Sequence, residues 1–182
     1  MESLPMLENL FLLSLQQFFD REPDNITSGV AEQNLCARLA IYLEINAGLN
    51  GLNGYYADAE YNRKQNGAVK TILDDEFQEV TIQCDLILHS RGESIARDNL
   101  IAIEMKKSTR PESEKISNRN RLRTMTKSSY GDDLWSNDGT THPEYVCGYE
   151  LGYFIEINIK SRSYILQKFE SGELIDTSNG GF

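Results

Sequence analysis

The sequence predicts an α/β fold in which helices frame a mixed sheet, and three observations carry that expectation. Apolar residues recur at spacings of three and four from Leu4 to Phe19, and again from about Thr27 to Ala47, which is the period of helices with a buried face. Two runs rich in Ile and Leu, Cys84 to His89 and Asn99 to Met105, flank a polar segment containing Gly92, the pattern of a β-hairpin. A helical segment behind Pro111 precedes two more aromatic and aliphatic runs. The predicted order is helix, helix, three strands, helix, two strands.

In the first helix, about Leu4 to Phe19, one stripe holds Leu4, Leu7, Phe11, Leu15 and Phe18, and Leu10, Leu12, Leu13 and Phe19 widen it. Such a helix either packs deeply or pairs with another chain, a homodimer or a protein partner. Asp20 to Asn25 reads as a loop, and Thr27 or Ser28 is placed to cap a second helix that ends near Gly48. On that helix Glu32 shares the sector of Leu35, Cys36, Leu39 and Leu43. A carboxylate there needs a partner, unless it stays in water at the helix N-terminus. Tyr55 to Tyr61 has strand composition, Asn62 to Lys70 a turn composition, and Glu79 to His89 is expected as one strand. Glu60 is expected to line a sheet face rather than to sit near the charged residues of the later strands. Pro111 opens the helix that runs to Lys127. Ser128 to Pro143, with Trp135, reads as a long loop. Tyr145 to Ile159 and Ser163 to Phe169 read as strands, and Thr177 to Phe182 as a frayed tail.

A chain of 182 residues, 40% of them hydrophobic, suits one domain. Its expected parts are an N-terminal helix over 1–22, a core over 28–159, a C-terminal strand or hairpin over 160–176 and a tail over 177–182. The three cysteines, Cys36, Cys84 and Cys147, form no CxxC pair, so neither a disulfide framework nor a zinc site is expected, and a cytoplasmic setting fits. The acidic start lacks the basic region of a signal peptide, and no apolar run reaches the roughly 18 residues of a membrane span. The formal charge of −10 argues against a generic nucleic-acid binder. Its distribution is uneven: residues 106–127 hold eight bases (Lys106, Lys107, Arg110, Lys115, Arg119, Arg121, Arg123, Lys127) against Glu112 and Glu114. That segment suits a phosphate backbone, or a solvated helix face with internal ion pairs.

The chemistry concentrates on the hairpin. Side chains alternate along a strand, so Glu104 and Lys106 share a face with Ala102, while Ile101, Ile103 and Met105 take the other. With Asp85 paired near that end, two carboxylates and an ammonium converge among apolar neighbours. Two adjacent carboxylates repel unless a cation separates them. Mg2+ takes one or two carboxylates and keeps waters and substrate phosphate for its remaining positions. It acidifies water and offsets phosphodiester charge, with a lysine to orient the water. The plainer alternative is a same-face ion pair on a solvated sheet.

Asp85, a gap, then Glu104-Met105-Lys106 resembles the D…(D/E)-x-K signature of the PD-(D/E)xK, or restriction-endonuclease-like, nuclease superfamily. The phrases Arg38 to Glu44, Glu60 to Arg63 and Asn99 to Ser108 are similar to small uncharacterised bacterial proteins of this type. The resemblance spans roughly Ser28 to Ile159. It implies a three-layer sandwich with an αβββαβ core and an extra N-terminal helix. It also implies Mg2+ or Mn2+ held by Asp85 and Glu104, with Glu32 joining them and Met105 contributing its carbonyl oxygen. Asp85, Glu104 and Lys106 are then catalytic, Lys106 positioning or activating water. In many members the helix after the signature adds a polar or basic group, for which Arg119 and Arg123 are the candidates here, with Lys107 beside them as a nucleic-acid contact. Cys84 stands where the family's proline would be, a backbone-shaping position. The implied activity is metal-dependent hydrolysis of phosphodiester bonds, in DNA first. The alternatives are a catalytically silent module that binds nucleic acid or protein, and an RNA-directed enzyme, for which Tyr55, Tyr56, Tyr130 and Trp135 are too scattered to argue.

Overall fold

The computed structural model describes residues 3–60, 71–73, 79–81, 84–94, 97–127 and 148–182, with backbone alone at 3, 71–73 and 79–81. Its elements are α1 (Ser3–Arg21), α2 (Pro23–Thr27), α3 (Glu32–Leu49), β1 (Tyr56–Ala59), β2 (Thr71–Leu73), β3 (Glu79–Thr81), β4 (Leu86–His89), β5 (Asn99–Lys107), α4 (Glu112–Thr126), β6 (Leu151–Asn158), β7 (Ser163–Glu170) and β8 (Glu173–Gly181). Six strands form one mixed sheet in the order β1-β4-β5-β6-β7-β8. β5 and β6 run parallel and every other neighbouring pair antiparallel. A parallel pair needs a crossover connection, and α4 lies in it. The class is α/β, as the sequence predicts.

Helices cover both faces. On one, α1 and α3 bring Leu7, Phe11, Leu35, Leu39 and Leu43 against Ile101, Ile103 and Met105. On the other, α4 sets Leu122 and Met125 against Ile87, Ala102, Phe154 and Phe169. This double cover explains why β5 is buried from Asn99 to Met105 without polar alternation. α1 takes the deeply packed course: Phe11 stacks on Tyr153 with ring centroids 3.6 Å apart, and of its apolar residues Leu12 and Leu13 are the exposed ones. α4 approaches closely because the residues beneath it are small. Ala102 pairs with Gly152, where a Cβ would stand 2.9 Å from the Thr126 methyl. Among the described residues no helix is long and apolar enough to cross a membrane.

Several expectations are corrected. Glu79 to His89 is not one strand: β3 pairs with β2 in a separate two-stranded sheet, and β4 begins only at Leu86, after a bend at Asp85. Asp20 to Asn25 is not wholly loop, since Pro23 opens the short α2 with its ring in the first turn, where no N–H is missed. Neither Thr27 nor Ser28 caps α3. Their hydroxyls donate backward, to Pro23 and Asn25 carbonyl oxygens, and α3 starts at Glu32 instead. Pro111 is the N-cap of α4 rather than its first turn. Thr177 to Gly181 is no frayed tail but the last half of β8, paired with β7 from Ser163–Gly181 inward. Gly180 makes room for the Tyr164 ring, and Phe182 stacks on Phe19. The expected turn 62–70, the loop 128–143 and the start of the Tyr145 strand lie outside the described residues.

Candidate functional site

The antiparallel register of β4 and β5 sets Leu86 opposite Ile103. One residue further along, Asp85 and Glu104 oppose each other on the face that α4 covers. Asp85 Oδ2 accepts a hydrogen bond from the Met105 N–H at 2.9 Å and another from Lys106 Nζ at 3.0 Å. The Asp85 charge also bears on the Glu104 carboxyl opposite it. The structure therefore brings Asp85, Glu104 and Lys106 together at the end of the hairpin.

Glu104 has no solvent exposure. Asn118 Nδ2 donates to its Oε2 at 2.9 Å and Arg121 Nη1 to its Oε1 at 2.7 Å. Burial and the neighbouring Asp85 charge push the Glu104 pKa up to about 8, against the pull of Arg121. Burial lowers the pKa of the Lys106 ammonium, but Asp85, with Glu104 and Glu32 beyond it, more than offsets that, and the net direction is up. Cys36, on α3 beneath the cluster, is buried, and its thiol is pushed well up by burial and by the Asp85 and Glu104 charges.

Glu32 also turns toward this end of β5. Its Oε1 caps the Lys107 N–H at 2.9 Å, and Arg110 grips both oxygens at 3.0 Å. Burial raises the Glu32 pKa, but Arg110 and the Lys107 amide lower it further, so the group stays ionised. Lys107 Nζ is fastened to the carbonyl oxygens of Gly29 and Val30. Met105 is fully buried. Glu60 is exposed at the end of β1, accepts a bond from Gln33 Nε2, and its N–H donates to the Asp85 carbonyl oxygen.

Arg119 and Arg123 do not join the cluster. Arg119 lies over Phe154 and bonds Glu112 and Gln167, while Arg123 lies over Phe169 and meets Glu173. The groups that α4 does deliver, Asn118 and Arg121, were not singled out from the sequence. Taking Leu122 and Met125 as the buried stripe would have found Asn118, which falls between them at 100° per residue, and would have placed Arg121 about 40° from its edge, nearer than Arg119 or Arg123 at about 60° and 100°. The basic segment is also less free than its composition suggests. Arg110 pairs with Glu32, Lys115 with Glu112 and Glu156, Arg119 with Glu112, and Arg121 with Glu104.

Comparison with protein-family models, curated proteins and solved structures finds no match to this chain. The chemistry is therefore read from the cluster itself. Among the described residues no group of three or more His, Cys, Asp and Glu side chains gathers closely enough to hold a metal ion. The pair Asp85 and Glu104 nevertheless fits a hard dication: two carboxyl groups oppose each other across β4 and β5, and burial together with the Asp85 charge holds Glu104 partly protonated. Oxygen donors of this kind suit Mg2+ or Mn2+, which keep waters in the positions that protein does not fill.

Proposed function

We propose that this protein is a metal-dependent nuclease of restriction-endonuclease-like architecture that hydrolyses phosphodiester bonds, with DNA as the first substrate to test. The observation that carries the reading is the buried Glu104 opposite the part-buried Asp85, with Lys106 bonded to the Asp85 carboxylate. Asp85 and Glu104, with the Met105 carbonyl oxygen as a third donor, would hold Mg2+ or Mn2+, which would supply charge neutralisation at the phosphate and a more acidic water. Lys106 is an ammonium at neutral pH, because its burial is outweighed by the charge and hydrogen bond of Asp85 together with the charges of Glu104 and Glu32. It therefore orients the attacking water and offsets negative charge on the phosphorus oxygens rather than abstracting a proton. Arg121 and Asn118 fix the Glu104 carboxyl, and Glu32 steadies the end of β5 through the Lys107 N–H. The αβββαβ order from α3 to β6, with the small β2–β3 pair inserted, supports the same reading.

The test is cleavage of labelled single- and double-stranded DNA in Mg2+ or Mn2+. Glu104→Ala and Lys106→Ala are expected to lower the rate at least 100-fold, and cleavage that persists unchanged in both defeats the assignment. A second reading, a silent module, draws on the partners already seated on Glu104 and Glu32, which make a self-satisfied ion network. Calorimetry separates the two: a protein that takes up neither Mg2+ nor Mn2+ is the module.

A further inference from the structure

Many cations of the described residues are matched by carboxylates, as Arg38 is by Glu22, Arg97 by Glu150 and Lys168 by Glu8. Three at the far end of β5 and β6 are not. Lys107 Nζ is held at 2.9 and 2.6 Å by the carbonyl oxygens of Gly29 and Val30, which fix the ammonium in place without cancelling its charge. Lys160 and Arg162, in the turn between β6 and β7, are exposed and carry no ion pair among the described residues. Lys107 and Lys160 line one recess of about 240 Å3, which the residues Ser108 and Thr109 also border. β5 and β6 are parallel, with Lys107 opposite Ile157. The recess thus opens beyond the carboxyl ends of two parallel strands, where open α/β sheets collect ligands.

We propose that this recess, with Lys107, Lys160 and Arg162, is a phosphate-binding subsite that seats the backbone of a nucleic-acid strand next to Asp85, Glu104 and Lys106; the inference rests on the nuclease reading. Strand geometry puts the turn roughly 10–15 Å from Lys106, at ~3.3 Å per residue along a strand and ~4.8 Å between strands. A polyanion with one charge per ~3.4 Å of strand offers several phosphates over that span. On a chain with net charge −10, two cations lining one recess, with Arg162 in the turn two residues past Lys160, also mark where such a polymer lands. The α4 stripe is the poorer landing place, because its bases already face Glu112, Glu156 and Glu104.

The experiment is fluorescence anisotropy of a labelled single-stranded oligonucleotide in EDTA, with the intact protein and with Lys160→Gln/Arg162→Gly. Arg162 has φ +49°, where glycine sits at least cost, so this exchange removes charge without straining the turn. An unchanged thermal melt checks that the variant folds. The double variant is expected to bind at least tenfold more weakly, and its slope of log affinity against log salt is expected to flatten by about 1.4, for two contacts at ~0.7 each. An intact protein that binds no oligonucleotide, or a variant with unchanged affinity and slope, overturns the subsite. The two readings fail separately. Binding that depends on Lys160 and Arg162 without any cleavage in Mn2+ removes the nuclease and leaves the subsite, while cleavage with an unmoved KM in the double variant does the reverse.

Discussion

Binding of Mg2+ at neutral pH is expected to expel close to one proton per ion. With its pKa near 8, about nine in ten Glu104 carboxyls are protonated at pH 7, and a dication takes the carboxylate. Each ion bound at pH 7 then releases about 0.9 proton, and the apparent affinity climbs roughly tenfold per pH unit below 8 before levelling above it. Between pH 6 and 7 that is about 1.4 kcal/mol of binding free energy. Titration calorimetry in two buffers of different ionisation enthalpy, such as PIPES and imidazole, reads the proton count directly. Glu104→Gln is expected to abolish the release along with most of the affinity. Heats that do not depend on the buffer, with an affinity flat from pH 6 to 8, refute the reasoning.

Three further outcomes concern stability. Because the folded pKa of Glu104 stands above its ordinary 4.5, the contribution of the group is complete below pH 4.5 and is lost as pH rises through about 8. In EDTA the intact protein should therefore weaken between pH 6 and 9 while Glu104→Gln holds level; parallel denaturant profiles contradict this. Glu32→Ala removes the Arg110 fork and the bond from the Lys107 N–H, and is expected to lower urea stability by about 1–3 kcal/mol, whereas an unshifted midpoint shows that the links are idle. Phe11→Ala empties the stack on Tyr153 and should destabilise by about 3–5 kcal/mol, against under 1 kcal/mol if α1 merely rests on the sheet.

Periodicity made α1, α3 and β5 legible, because each carries an apolar pattern that survives without tertiary context. β8 escaped because Thr177-Ser178-Asn179-Gly180-Gly181 has loop composition, and its pairing is decided by backbone bonds to β7 that composition does not register. The start of α3 was misplaced because Thr27 and Ser28 bond backward as readily as forward. At the site, strand alternation and hairpin pairing were enough to bring Asp85, Glu104 and Lys106 to one end. Glu32 was visible as a carboxylate on an apolar sector, but its fork to Arg110 spans 78 residues and leaves no local trace. Arg119 and Arg123 share a face at 100° per residue, but composition does not fix which face of α4 meets the sheet; Leu122 and Met125 fix it, with Asn118 between them and Arg121 at the edge.

The most direct measurement is a crystal grown or soaked with Mn2+ and recorded at a wavelength where manganese scatters anomalously. The account predicts one anomalous peak between Asp85 and Glu104, at roughly 2.1 Å from an oxygen of each, with Arg121 drawn back from Oε1. A fully occupied Mn2+ solution that leaves Glu104 bonded to Arg121 and Asn118, with no peak between the two carboxyl groups, contradicts it.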